Sequence, residues 1–329
     1  MKQPKVAIII VTLNQKKLLR SCLSSLKKKT QYKNYKVIIS DNGSVDGSIE
    51  MIKKEFKWVD LLENGVNIYW AGGNNIGIKY ALKKYEPDYF FLLNDDTKMI
   101  QRDWLKRLVE TAESNPKIGI VGCNLIYPEG TPQHLGGYMK GPIMTVEKEA
   151  DEKIKEVDHV MGSAIMIKRG VISKIGLVDT IFTPYLLDET DYCLRAKRVG
   201  FKVISNREVK IIHHKGKTIR SIDEKPKRLF VRGKTDIAFS ALNLSGMNSI
   251  LRIFFYLPLV FLLRKKREKE GISLRNIRFR EGGLVNLLNL MKAYLYWLKR
   301  FNTILEKRSA RKKMKKLWYT NRELLNIEE

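Results

Sequence analysis

The stretch Tyr89–Thr97, YFFLLNDDT, joins an apolar segment directly to a pair of carboxylates. Its first five residues are aromatic or aliphatic, which is typical of a strand covered on both faces. Asn94, Asp95 and Asp96 follow at once. Taken alone, such residues most often cap the next helix or lie in a solvated turn. Their meaning therefore depends on where this strand ends in the fold.

The sequence around this stretch alternates between short apolar runs and helical patterns. Further strands are predicted at Val6–Val11, Lys36–Ser40, Trp58–Leu62 and Ile118–Gly122. Between the strands, apolar residues recur at helical spacing, which predicts helices around residues 18–26, 49–56, 75–85 and 104–112. Apolar strands separated by helices predict an α/β fold, with a mostly parallel central sheet and helices on both faces.

Polar residues follow several of these strands. Thr12 and Asn14 come after the first strand, Asp41 after the second, and the NDD triplet after Tyr89–Leu93. Ligands bind beyond the carboxyl ends of parallel strands, so the pattern predicts a nucleotide site at this edge. Residues 126–156 are rich in proline and glycine and are interpreted as a long loop or a substrate-facing insertion.

Composition limits the class of protein and its partners. The 329 residues have a formal net charge of +27, and residues 261–329 hold 19 Lys and Arg against 7 Asp and Glu. This excess favours an anionic partner (nucleic acid, a membrane surface or a phosphate-bearing substrate), although a solvated helix face would look the same. Three well-separated cysteines in apolar contexts predict buried free thiols and a reducing compartment. The first apolar run is too short for a signal peptide, so we expect a protein that is not secreted.

A second acidic group supplies possible partners for the NDD triplet. LLDETDYCLRAKRVG (Leu186–Gly200) has a helical pattern and contains three acids, Asp188, Glu189 and Asp191, and VKIIHHKGKT (Val209–Thr218) predicts a strand ending in two histidines, of which His213 is the first. Carboxylates with one imidazole suit Mg²⁺ or Mn²⁺. Such an ion commonly carries substrate phosphates and neutralises a diphosphate leaving group. The alternative for His213 is an ordinary core histidine.

Seven stretches within residues 5–235 carry a specific resemblance. In chain order they are IIIVTLN, VIISDNGSVDGS, NIYWAGGNNIGIKYAL, FFLLNDDT, VMGSAIMIKR, GLVDTIFTPYLLDETDYCLRAKRVGF and IIHHKGKT. Together they resemble glycosyltransferase family 2, in its rhamnosyltransferase-like branch. The resemblance implies a GT-A, Rossmann-like fold and an inverting, metal-dependent transfer from a nucleotide-diphospho-sugar such as dTDP-rhamnose or a UDP-sugar. The implied acceptor is a glycan or lipid-linked hydroxyl in cell-surface polysaccharide synthesis.

The resemblance also implies roles for individual residues. The positions that match the family's nucleotide-sugar site are Thr12, Asn14, Asp41, Gly72, Gly73, Asn75, Asn94 and Asp95. Asn94 replaces the first acid of the DxD element, so Asp96 is expected to be the main metal ligand and His213 a second one. Asp95 is then expected to contact the sugar or the ribose.

The DETD stretch matches a family pattern, Glu-Asp-x-Asp, with its first two acids exchanged. The catalytic base occupies the second position, which assigns Glu189. Asp188 stays an alternative, because Glu is one methylene longer than the expected Asp. Asp191 is expected to orient the acceptor or the base. Arg195 shares a helical face with this cluster, and an ordinary i,i+4 salt bridge is the alternative to a functional role.

The C-terminal part differs in character from residues 1–235, which we assign to the glycosyltransferase domain. Residues 253–263 form an apolar run that is too short to span a bilayer. Leu284–Phe301 predicts an amphipathic helix beside lysines and arginine, which suits an anionic membrane interface. The alternative for residues 236–329 is a helical unit packed on the catalytic domain or on a second subunit, so a homo-oligomer stays open. We expect a cytoplasmic protein on the inner face of the cell membrane.

Three other functional classes share some of these features. A nucleotidyltransferase also uses an α/β sheet and Mg²⁺, but would show a basic, Gly-rich phosphate loop after the first strand. A nucleic-acid-binding protein would explain the charge, but the sequence has no helix-turn-helix, zinc or RNA-binding signature. A dinucleotide-dependent oxidoreductase would carry GxGxxG where TLNQKK stands. We therefore expect no nucleic-acid partner, and the first two classes remain as alternatives.

Overall fold

The computed structural model describes residues 3–149, 152–214, 225–265, 277–279 and 283–314. The strands are β1 (Val6–Thr12), β2 (Tyr35–Asp41), β3 (Asp60–Glu63), β4 (Tyr89–Asn94), β5 (Thr97–Met99), β6 (Ile118–Ile126), β7 (Pro132–His134), β8 (Gly137–Lys140), β9 (Ile143–Val146), β10 (Ile154–Val157), β11 (Ala164–Lys168), β12 (Lys202–His213), β13 (Leu263–Lys265) and β14 (Ile277–Phe279).

The helices are α1 (Lys16–Lys29), α2 (Ser48–Glu55), α3 (Tyr69–Tyr85), α4 (Trp104–Glu113), α5 (Arg169–Ile175), α6 (Asp188–Arg198), α7 (Lys225–Asn243), α8 (Gly246–Ile250), α9 (Leu257–Leu262), α10 (Gly283–Leu298) and α11 (Phe301–Met314). A π-helical segment, Leu251–Tyr256, joins α8 to α9, and Thr180–Phe182 forms one 3₁₀ turn.

One large sheet has the strand order β10-β12-β6-β11-β4-β1-β2-β3, with β5 paired to β12 and β7 paired to β6. Strands β3, β2, β1 and β4 are parallel, as are β6 and β12, whereas β11 runs antiparallel between β4 and β6. The predicted α/β fold with a mostly parallel central sheet and C-terminal helices is therefore confirmed. The chain order reverses at β1, which has β2 on one side and β4 on the other, and this is the position where open α/β sheets bind ligands.

Strand β1 shows why the sheet is covered on both faces. Val6, Ile8 and Ile10 belong to one hydrophobic cluster, whereas Ala7 and Ile9 belong to another. Successive side chains of a strand point to opposite faces, so a strand that is apolar at every position needs a helical layer on each side. Helices α1, α2 and α4 supply one layer, and α3, α5 and α6 supply the other.

Two predicted segments differ from the structure. Helix α3 begins at Tyr69 rather than near Asn75, so the Gly-rich stretch is helical. A Cβ atom at Gly77 would lie 2.5 Å from Cγ2 of Ile9, which means that α3 uses glycine to approach β1 closely. Residues 126–156 are not a single loop, because they contain β7, β8, β9 and the start of β10.

The C-terminal helices pack on the rest of the chain. Their cluster joins Phe239, Leu290 and Trp297 to Phe182 and Leu187, which precede α6. Residue 235 lies inside α7, and the division of the chain there stays a prediction. Within the described ranges, no helix is both long and apolar enough to cross a membrane. The predicted HHKGKT segment lies outside the described residues from 215 onward.

Candidate active site

A cavity of about 270 Å³ opens at the carboxyl ends of β1 and β4. The residues that line it come from six parts of the chain, and they include Val11, Thr12, Asn42, Asn67, Tyr69, Trp70, Asn94, Asp95, Gly162, Ser163, Tyr185, Leu186, Asp188 and Glu189. Five sequence-predicted site residues thus meet in one space: Thr12, Asn94, Asp95, Asp188 and Glu189. The parallel register explains the first three, because Val11 lies opposite Asn94 where both strands end.

Asp95 is held at the inner wall of this cavity. Thr12 donates its hydroxyl hydrogen to Oδ2 of Asp95 at 2.7 Å, and Asp95 is only 5% exposed. Burial and the neighbouring charge of Asp96 raise the pKa of Asp95 to about 8. Burial and the neighbouring carboxylate therefore both disfavour the ionised form of Asp95.

Asn94 connects two walls of the cavity. The indole Nε1 of Trp70 donates to Oδ1 of Asn94 at 3.2 Å, and Nδ2 of Asn94 donates to the hydroxyl of Ser163 at 3.2 Å. The backbone N–H of Asn94 also donates to the carbonyl of Ser163 at 2.9 Å. The Asn94 side chain therefore accepts from one wall and donates to the other without adding a charge beside Asp95 and Asp96.

Asp188 and Glu189 begin helix α6 on the opposite side of the cavity. Burial raises the pKa of Asp188 well above its usual range, and the charge of Glu189 raises it further. Burial also raises the pKa of Glu189. Leu186 and Leu187 precede the pair with φ values of +81° and +70°, a region that bulky residues seldom occupy. Such backbone strain is common at functional sites, where the surrounding structure holds it in place.

The two predicted metal ligands lie together beside the cavity. Nε2 of His213 is 3.2 Å from Oδ1 of Asp96, and both side chains are buried. Nδ1 of His213 lies 2.9 Å from Oε1 of Gln133, while Nε2 of Gln133 donates to backbone carbonyls. Because Oε1 can only accept, Nδ1 carries the hydrogen. In neutral His213 the lone pair of Nε2 then points at a carboxylate oxygen.

The 3.2 Å separation of these two atoms is compatible with neighbouring ligand positions on one cation, which would lie to the side of the line that joins them. Oδ1 of Asp96 is buried and has no hydrogen-bond donor. One oxygen and one imidazole nitrogen form the kind of partial ligand set that Mg²⁺ or Mn²⁺ completes with water and substrate phosphates. In the described part of the chain, three or more His, Cys, Asp or Glu side chains nowhere form a complete metal-binding group.

Asp41 and Asn14 shape the loop that borders the site. Oδ1 of Asp41 accepts hydrogen bonds from the backbone N–H groups of Gly43 (3.0 Å) and Ser44 (2.8 Å). Oδ2 of Asp41 is buried and has no partner. Asn14, at φ +53°, accepts from the N–H of Val45 at 2.8 Å. One Asp41 oxygen therefore organises the loop and the other is left free for a donor.

Asn14 and Asp41 border the cavity without being part of its lining, and three further predicted donor-binding residues lie in α3. A Cβ atom at Gly73 would lie 2.8 Å from Val11, so this glycine allows α3 to pack on β1. A Cβ atom at Gly72 would likewise lie close to the side chain of Ile68, the residue directly before α3. Asn75 exchanges two hydrogen bonds with the backbone of Val178, at 2.9 and 3.0 Å. Gly72, Gly73 and Asn75 do not line the cavity, and their donor-binding role stays a prediction.

Asp191 points away from the cavity, although it shares the first turn of α6 with Asp188 and Glu189. It is fully buried and accepts from Nε of Arg195 at 2.9 Å, the i,i+4 salt bridge considered as the ordinary alternative. Asn243 donates to it at 2.7 Å and Arg311 at 2.6 Å. These contacts tie α6 to the C-terminal helices.

The sequence alone did not single out several cavity residues. Nδ2 of Asn42 donates to Oδ1 of Asn67 at 3.3 Å and also to the carbonyl of Tyr69. Tyr69 has φ +61° and is partly exposed, and Trp70 follows it. The available signal was the placement of two aromatic residues directly before the glycines of NIYWAGGNNIG.

The chain is similar to known proteins in both sequence and fold. The family model described as Glycosyl transferase family 2 matches residues 7–176. The O-antigen biosynthesis protein RfbC of Myxococcus xanthus is 28% identical over 234 residues, which are 66% of this chain and 18% of that protein. The chain therefore spans about a fifth of the length of that relative.

Two further proteins are more distantly similar. The N-acetylglucosaminyl-diphospho-decaprenol L-rhamnosyltransferase of Mycobacterium tuberculosis is 21% identical over 234 residues, covering 63% of this chain and 75% of that enzyme. The solved structure of the mannosyltransferase PcManGT from Pyrobaculum calidifontis, in complex with GDP-Man and Mn²⁺, superposes with a TM-score of 0.53 at 13% identity. It covers 96% of this chain and 84% of the mannosyltransferase.

Proposed function

The chain belongs to glycosyl transferase family 2, and on that premise we propose that it transfers a sugar from a nucleotide-diphospho-sugar to an acceptor hydroxyl, with inversion at the anomeric carbon. The observation that carries this proposal is the cavity itself. It brings the Asp188–Glu189 pair opposite Asn94 and Asp95 at the switch point of the sheet.

Glu189 is the proposed general base. Asp188 is almost fully buried, whereas Glu189 is partly exposed to the cavity, and the pKa of Asp188 is raised well above its usual range by burial and by Glu189. Asp188 is then the member of the pair that keeps a proton. Burial raises the pKa of Glu189, which makes its ionised carboxylate a stronger base for the proton of an acceptor hydroxyl.

Asp96 and His213 are the proposed residues for a Mg²⁺ or Mn²⁺ ion. When bound, the ion would supply positive charge that stabilises a diphosphate leaving group. The free Oδ2 atom of Asp41 and the Thr12–Asp95 hydrogen bond mark the proposed place of the nucleotide base and ribose. Gly72, Gly73 and Asn75 remain proposed donor contacts.

The substrate class is proposed from the relatives. RfbC acts in O-antigen biosynthesis, and the mycobacterial enzyme transfers L-rhamnose to a lipid-linked diphospho-sugar. We propose that this chain uses dTDP-rhamnose or a UDP-sugar and a glycan or lipid-linked acceptor in cell-surface polysaccharide synthesis.

A donor screen tests the reaction. Release of nucleoside diphosphate is measured for dTDP-, UDP- and GDP-sugars with Mg²⁺ and with Mn²⁺, using hydrolysis where no acceptor is known. Glu189→Gln and Asp96→Ala should each lower the rate by at least about 100-fold, while Glu110→Gln, an exposed change on α4, should not. Release of pyrophosphate would instead indicate a nucleotidyltransferase. Near wild-type transfer by both site variants would refute the assignment.

The proposed location of the enzyme is an anionic membrane surface. Helix α10 exposes an apolar row formed by Leu284, Leu288, Met291, Leu295 and Leu298. The neighbouring segment exposes Phe254 and Phe255, and the ring of Phe254 stacks on Tyr294 of α10 with 6.1 Å between centroids. The two apolar faces therefore adjoin, and exposed Lys292, Lys299 and Arg300 lie on α10 or next to it. An apolar face bordered by cations suits an interface with anionic lipid on the cytoplasmic side.

Vesicle co-sedimentation tests this location with the full chain. Phe255→Ser combined with Leu288→Ser should reduce binding to anionic vesicles, whereas Val45→Ser combined with Val66→Ser removes two exposed apolar groups elsewhere and should not. Equal binding by both double variants would mean that this apolar face does not contact the membrane.

A further inference from the structure

A second cavity, of about 300 Å³, lies on the far part of helix α6. It opens to solvent between α6, the end of α7 and α11, and it shares no lining residue with the candidate active site. Its charged lining residues are all cationic: Arg195, Arg198, Arg308, Arg311 and Lys312. No carboxylate is part of this lining.

Only two of these five cations are neutralised by buried acids. Arg195 pairs with Asp191 at 2.9 Å, and Arg311 bridges Asp191 at 2.6 Å and Asp179 at 2.9 Å. The other three have no ion pair within the described ranges of the chain. Positive charge therefore exceeds negative charge around this cavity.

Arg198 is held in place by the end of α7. Its Nη2 donates to the carbonyl of Asn243 at 2.6 Å, and Nη1 lies 3.4 Å from the carbonyl of Leu242. Burial lowers the pKa of Arg198, and the charges of Arg311 and Arg195 lower it further against the pull of Asp191. An anion in the cavity would relieve this repulsion.

We propose that this cavity binds a phosphate group. Guanidinium groups present planar pairs of N–H donors that match phosphate oxygens, and a lysine adds a point charge. The two sides of the cavity belong to different helices, Arg198 to α6 and Arg308 and Lys312 to α11. A bound phosphate would therefore hold the C-terminal helix against the helix that begins with Asp188 and Glu189. This inference does not depend on the reaction that the active site performs.

The phosphate can come from a free anion or from a lipid headgroup. Ser245 lines the cavity, and the exposed apolar residues Met247, Ile250 and Leu251 follow within two turns. A headgroup would thus enter close to the apolar face described above. Inorganic phosphate and a phospholipid vesicle are the two probes that separate these sources.

The experiment is a titration of the full-length protein with inorganic phosphate at constant ionic strength. Arg308→Gln combined with Lys312→Gln removes two cavity cations that make no described ion pair, so folding should be retained and is checked by circular dichroism. Lys27→Gln combined with Lys28→Gln removes the same charge from the exposed end of α1. Binding should be saturable and should weaken at least about tenfold in the cavity variant, but less than twofold in the α1 variant. Arg198→Lys tests the remaining side and should weaken binding without loss of charge.

A second arm uses vesicles of phosphatidylglycerol, with and without saturating inorganic phosphate. If the ligand is a headgroup, phosphate should displace the wild-type protein, and the cavity variant should bind these vesicles more weakly than the α1 variant. If the ligand is free phosphate, only the titration should change. Absence of saturable binding in the wild type, or equal loss in the cavity and α1 variants, would overturn the proposal.

Discussion

Replacement of Arg311 by methionine should destabilise the whole chain, although this residue lies in the basic C-terminal helix α11. Its guanidinium donates to Asp191 at 2.6 Å and to Asp179 at 2.9 Å, and its side chain is only 7% exposed. Burial alone would raise the pKa of Asp179, but Lys307 and Arg311 outweigh it and hold that pKa at about 2. Methionine keeps much of the volume but leaves two buried carboxylates short of a partner.

The size of the effect follows from the partners that remain. Removal of one partner from a buried ion pair costs roughly 3–5 kcal/mol. Arg195 still pairs with Asp191 and Lys307 still pairs with Asp179, so we expect the lower end, about 3 kcal/mol. In a chain of this size that should lower the melting temperature by about 5 °C.

Urea unfolding and thermal melts measure this change against Lys299→Met, which removes an exposed charge near the end of α10. A double-mutant cycle with Asp179→Asn should give a coupling free energy of at least about 1 kcal/mol. If Arg311→Met and Lys299→Met unfold alike, or if the coupling free energy is close to zero, the buried contact does not stabilise the chain and this reasoning fails.

Three other outcomes follow from single contacts. Gly77→Ala should destabilise the protein by about 1–3 kcal/mol because its Cβ atom would lie 2.5 Å from Ile9, whereas Gly246→Ala, with open space around it, should have little effect in the same urea assay. The rate should fall on the acidic side of its pH profile with an apparent pKa above the usual pKa of a glutamic acid, because burial raises the pKa of Glu189 and the base must be ionised. An apparent pKa at or below that usual value would exclude Glu189 as the base. The lowered pKa of Asp179 means that its contribution to stability is complete above the unfolded-state pKa, about 3.9, and is lost as pH falls through about 2; unfolding free energies that do not fall more steeply there than in Asp179→Asn would contradict this.

The fold was largely predictable because its signals are local. A strand that is apolar at every position needs cover on both faces, and Val6–Thr12 and Tyr89–Asn94 carry that pattern in their own residues. The rule that ligands bind beyond the carboxyl ends of parallel strands placed Thr12, Asn94 and Asp95 at one edge of the sheet, where the structure has them. Boundaries were less predictable. Helix α3 begins six residues before Asn75, although glycine disfavours helix formation, because the helix packs closely on β1.

The candidate site was predictable as a set of residue types, but their directions were not. Asp188, Glu189 and Asp191 stand within four positions on one helix, yet only the first two line the cavity. Asp191 points instead to Arg311, which lies 120 residues further along the chain. No local pattern contains that contact.

The basic C-terminal region shows the same division. Its composition and apolar spacing by themselves determined that it would form amphipathic, positively charged helices. Only the tertiary structure decided that Trp297 and Leu290 would be buried while Leu284 and Leu298 stay exposed, and that Arg311 would pair with buried acids. The physical reason is that residue spacing defines the faces of a helix, whereas the partner of each face depends on groups brought close by the rest of the fold.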